Sequence, residues 1–155
     1  LYVDHFPREA TESGVVDPLQ TTQFPLGETF SLSSRPGSKR TLYLDFDGHE
    51  TTGTAWNASS GVSKIVSPPY TLDGDPNFSV TELQNIQGMW RQVAEDFAPF
   101  DINVTTQYPG EAALTRSSSA DDLYGMRVLI TQDNFENCGC GGFAYLTFVK
   151  ACPLD

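Results

Sequence analysis

The sequence predicts an α/β (α+β) fold in which about four to five strands are backed by one long helix. Three observations lead there. Residues 41–46 (T-L-Y-L-D-F) form an almost continuous apolar run, the pattern of a strand covered on both faces. Residues 79–97 join a capping signature to apolar side chains at helical spacing. Residues 101–106 (D-I-N-V-T-T) alternate and are rich in β-branched side chains, which marks a second strand. Strand, long connection with a helix, and strand make a βαβ unit, whose crossover is expected to be right-handed.

Each element follows from its own residues. Residues 1–40 are rich in Pro, Gly, Ser and Thr with weak periodicity, and read as an extended, pro-region-like arm with a short strand at 28–32. Residues 41–155 are the folded domain. After the first strand comes the polar turn Asp45-Phe46-Asp47-Gly48. Residues 48–77, punctuated by Gly53, Gly61, Pro68-Pro69 and Asp73-Gly74-Asp75-Pro76, read as loop. Ser79-Val80-Thr81-Glu82 is a capping box, in which hydroxyl and carboxylate each satisfy an orphan backbone N–H, and Phe78 and Leu83 occupy the staple positions. Leu83, Ile86, Trp90, Val93, Ala94 and Phe97 then share one helical face. Pro99 stops the helix. Residues 127–131 (R-V-L-I-T) and 142–148 (G-F-A-Y-L-T-F) are two further strands, the second behind the glycine-rich stretch 138–142.

At 155 residues, 39% hydrophobic and 12% aromatic, the chain is one ordinary domain with enough apolar surface for a core. Its formal net charge of −11 repels phosphate backbones and anionic lipid, so nucleic acid and membrane surfaces are not expected partners. No stretch is long and apolar enough to span a bilayer. Because Leu1 is not Met, the chain is expected to be processed or cut from something longer.

Three cysteines, Cys138, Cys140 and Cys152, lie in the last twenty residues. One is left over from any internal pairing. A bridge between Cys138 and Cys140 is strained by the single residue between them, and Cys152 to either is easier. A zinc site of the three lacks a convincing fourth ligand. The disulfide is the favoured reading, and it implies a secreted or extracellular setting.

The remaining motifs each meet a plain structural alternative. His49-Glu50 begins like H-E-x-x-H, but no second histidine follows, and the β-branched, glycine-bounded surroundings do not suit a helix. His5 is the one other histidine, so this chain cannot by itself build a typical catalytic zinc site. Asp45 with Asp47, and Asp73 with Asp75, put paired carboxylates on tight turns, as calcium requires. The alternative is turn chemistry, for which Asp and Gly are good residues. Three sequons occur, at Asn57, Asn77 and Asn103, and the third falls inside an expected strand.

Several segments, in order, are familiar: E-T-F-S-L-S-S-R-P-G at 28–37, T-L-Y-L-D-F-D-G-H at 41–49, G-T-A-W-N at 53–57, W-R-Q-V-A-E-D-F-A-P-F-D-I-N-V-T-T at 90–106 and G-G-F-A-Y-L at 141–146. Over roughly residues 28–148 the chain resembles the N-terminal half of the catalytic domain of secreted bacterial zinc metalloproteases of the metzincin type. Residues 97–106 are the most specific part. The resemblance implies a twisted mixed sheet from strands 41–46, 101–106, 127–131 and 142–148, backed by helix 79–97. It implies that strand 142–148 is the sheet edge along which a peptide or protein substrate lies, with Gly142, Phe143, Ala144 and Tyr145 as substrate-binding residues. An edge left without its lower wall is also expected to pair with a neighbouring strand, including one from a second copy. In that family a zinc helix with H-E-x-x-H-x-x-G-x-x-H follows the last strand. This chain reaches Asp155 without it, so this chain alone is expected to be inactive, and on the fragment reading zinc belongs to a longer parent. Two readings stand at this point. One is the upper subdomain of a secreted zinc endopeptidase. The other is a non-catalytic metzincin-like binding or structural module, with calcium as its ion. A small disulfide-stabilised interaction domain ranks below both.

Overall fold

The computed structural model describes residues 24–132 together with Gly141, Gly142 and Ala144. Among these residues the fold is α/β. Strands β1 (Arg40–Asp45), β4 (Asn103–Thr105) and β5 (Tyr124–Leu129) form a parallel sheet in the order β4-β1-β5. Strands β2 (His49–Thr52) and β3 (Lys64–Ser67) form a separate antiparallel hairpin around the short helix α1 (Ala55–Ser60). The long helix α2 (Val80–Asp96) connects β1's side of the chain to β4. The expected βαβ unit is therefore present, with Leu42 paired to Val104 across β1 and β4.

Helix α2 begins where its cap dictates. Ser79 Oγ accepts from the Glu82 N–H, and Glu82 Oε2 accepts from the Ser79 N–H at 2.7 Å. Its apolar face enters the core. Ile86 and Trp90 pack with Leu44, Phe46, Val104 and Leu32, while Met89, Val93, Ala94 and Phe97 border the cluster. The Trp90 indole N–H donates to the Val104 carbonyl at 3.0 Å, so the ring enters the core without leaving its donor unpaired. Strand β1 is covered on both faces, as its composition requires. Leu42, Leu44 and Phe46 belong to the α2 side, whereas Tyr43 and Asp45 are buried on the other.

That other face is crossed by residues 106–123, which include a short 3-10 turn at Glu111–Ala113. Tyr108 packs on Tyr43 with ring centroids 5.7 Å apart. Gly125 of β5 makes this close approach feasible. A Cβ there would sit 2.4 Å from the Thr41 carbonyl oxygen and 3.0 Å from that of Ala113. Chain direction along the sheet reverses between the two crossovers, and so does the face crossed. Both crossovers therefore share one hand, as the handedness rule for parallel strands demands.

Several expectations need correction. Residues 48–77 are not continuous loop. The Thr-rich strand β2 and four-residue β3 were too short and too polar to announce themselves, and α1 uses an unusual capping box of Thr54 with Asn57. Gly61 ends that helix at φ +69°. Residues 28–32 are not a strand. Leu26–Ser31 is a 3-10 turn, held by the Thr29 hydroxyl donating to the Leu26 carbonyl at 2.8 Å. The strand expected at 101–106 is shorter, and the one expected at 127–131 begins three residues earlier, at Tyr124. The three expected strands that are described share one sheet, and the unexpected β2 and β3 form a second.

The segment from Phe24 to Ser34 is fastened to the body of the fold. Phe24 meets Trp90 edge-on at 5.5 Å. Buried Gln87 donates through Nε2 to the Thr29 hydroxyl and the Phe24 carbonyl. Leu32–Ser34 lies along the outer edge of β4, with Ser34 N donating to the Val104 carbonyl and Thr106 N to that of Leu32. That edge is thereby closed. Of the expected strand 142–148 only Gly142 and Ala144 are described, and neither lies in a strand; its other residues lie outside the described ones, as do His5, Cys138, Cys140 and Cys152.

Candidate functional site

The parallel strands run in the spatial order second, first, third, so the order reverses between β1 and β5. Crevices outside the carboxyl ends of strands at such a reversal are where open α/β sheets place their ligands. Here that position holds the densest polar cluster of the described residues. Arg127 of β5 is its centre. In register it lies opposite Tyr43, on the sheet face turned away from α2.

Both terminal nitrogens of the Arg127 guanidinium are engaged. One terminal nitrogen donates to Asp45 Oδ2 at 2.6 Å and approaches His49 Nδ1 at 2.9 Å. The other donates to Glu111 Oε1. Tyr43 and Tyr108 flank the cation, with its central carbon 5.5 Å and 5.4 Å from their ring centroids. The Tyr108 hydroxyl donates to the same Glu111 oxygen at 3.1 Å. Because a guanidinium offers donors alone, His49 Nδ1 must act as the acceptor, which places the ring proton on the opposite nitrogen. Asp45 is 2% exposed, and the Arg127 side chain 17%. Burial pushes the Tyr43 phenol up to about 12, helped by the charges of Asp45 and Asp47, so it remains a neutral phenol. Burial, then the neighbouring Asp45 charge, raises the Asp47 carboxyl above its ordinary range.

These contacts assign the sequence candidates. Asp45 and Asp47 share one turn, where the Asp47 N–H donates to Asp45 Oδ1 at 3.1 Å, but Asp45 is committed to Arg127. Asp73 and Asp75 belong to a different, exposed loop. Each serves as the acceptor of a tight turn, Asp73 from the Asp75 N–H and Asp75 from the Asn77 N–H. The Asn77 backbone, then its side-chain amide, holds the Asp75 carboxyl below the usual range. Among the described residues, no three His, Cys, Asp or Glu side chains are grouped to hold a metal ion. His49 and Glu50 are consecutive in strand β2 and so point to opposite faces. Glu50 pairs with Lys64 across the hairpin at 2.5 Å. This arrangement does not fit zinc. Gly142 and Ala144 are exposed.

Sequence reasoning missed Arg127, Glu111, Tyr43 and Tyr108. A signal existed for the first. An arginine within the apolar strand Y-G-M-R-V-L needs a buried anion, and T-L-Y-L-D-F carries one in the other strand with a central apolar run. Of the three sequons, Asn57 is buried and spends its amide on Thr54 and the Thr51 carbonyl. No family model, curated protein or solved structure matches this chain.

Proposed function

We propose that the chain is the N-terminal, upper subdomain of a secreted zinc-dependent endopeptidase of the metzincin type, whose zinc ligands lie outside residues 1–155. The observation that supports this reading most is the parallel sheet β4-β1-β5 backed by α2, the one long helix among the described residues. Three of the four strands and the helix fall on the segments the resemblance assigns to them. Zinc, when bound by the longer parent, supplies an activated water for peptide hydrolysis. No group described here fits that metal, and the role left to this chain is substrate binding.

The edges of the sheet favour the same division of labour. Leu32–Ser34 closes the outer edge of β4. The outer edge of β5 has no strand partner among the described residues. Segment 142–148, which the resemblance assigns to a strand, follows β5 in the sequence after about a dozen residues, a connection long enough to return beside it. Placed there, Gly142, Phe143, Ala144 and Tyr145 form the rim along which an extended peptide adds as a further strand. Backbone N–H and C=O groups then bind substrate whatever its side chains, and the exposed glycine lets the peptide backbone approach closely.

The decisive experiment reads the encoding frame beyond Asp155 and assays the longer protein. The expected result is an H-E-x-x-H-x-x-G-x-x-H helix and chelator-sensitive cleavage of unfolded casein, restored by zinc. In that protein Ala144→Pro, which deletes a rim N–H, is expected to lower kcat/KM about tenfold or more while leaving the fold intact. A continuing frame without that helix, or a longer protein inert toward casein with zinc present, overturns the protease reading.

A further inference from the structure

We draw no further inference here: the strongest candidate, the Asp45–Arg127–His49–Glu111 side-chain cluster at the carboxyl ends of β1 and β5, belongs to the site already described, and its charged donors and acceptors already satisfy one another.

Discussion

Glu82 is a carboxylate at 1% exposure with no cation bonded to it among the described residues. Neutral donors hold it instead: the Ser79 N–H and hydroxyl, and the Leu72 N–H at 2.6 Å. Those bonds, the Ser79 N–H foremost, lower its pKa to about 2 from an ordinary value of 4.5. The folded state therefore prefers the ionised form. The stability this contributes is fully present above about pH 4.5 and is lost as pH falls toward 2. Urea midpoints measured across that range are expected to fall for the native chain and to fall less steeply for Glu82→Gln. Parallel pH profiles for the two would show that the buried carboxylate is not the titrating group.

Arg127 is argued on the same scale. Truncating it strands the Asp45 carboxylate in a site 2% exposed. Breaking a buried pair by removing one partner costs about 3–5 kcal/mol. With the Arg127 side chain 17% exposed, Arg127→Met is expected to cost about 3 kcal/mol, at the low end of that range. Adding Asp45→Asn to Arg127→Met removes the stranded charge, so the double variant should be less destabilised than the sum of the singles. Equilibrium denaturation of the three variants checks this, and strict additivity would mean that the pair is not coupled.

At the scale of elements, the two glycines with no room for a Cβ make the sharpest predictions. Gly125→Ala puts a methyl group 2.4 Å from the Thr41 carbonyl oxygen, at the second residue pair of the β1–β5 ladder. Backbone must shift, and a cost of about 3 kcal/mol, the upper end for overpacking, is expected. Gly48 combines φ +83° with a Cβ position 2.7 Å from the Ser67 carbonyl oxygen, where β3 leaves the hairpin. Gly53, at φ +68° with open space around it, is the control, because its alanine variant bears strain but no clash. The order of thermal stability should be Gly53→Ala above both Gly48→Ala and Gly125→Ala, read by circular dichroism melting.

For the molecule as a whole, residues 24–38 decide whether the core closes. Leu32 is 4% exposed within the central cluster, and Phe24 and Phe30 pack against it. A chain beginning at Lys39 loses these side chains and reopens the β4 edge. It is expected to lose cooperative unfolding and to shift Trp90 emission to longer wavelength. A sharp, native-like melting transition in that shortened chain would show the segment to be dispensable.

How much of this was legible in the sequence depends on the range of the interactions. The capping box at Ser79 and Glu82, the α2 face from Ile86 to Phe97, and the doubly covered strand at 40–45 are set by contacts within a few residues, so local pattern determined them. Strand β2 and helix α1 escaped because their caps and pairings are short and polar, with Asn57 in the role that Glu82 plays for α2. Strand order, the closure of the β4 edge by Leu32–Ser34 and the meeting of Asp45 with Arg127 join residues 62 or more apart in the chain, the shortest span being Thr41 to Asn103. Periodicity carries no record of such partners. Two buried opposite charges hint that they must meet, but only the packing of both crossovers, with Gly125 leaving space for one of them, decides where.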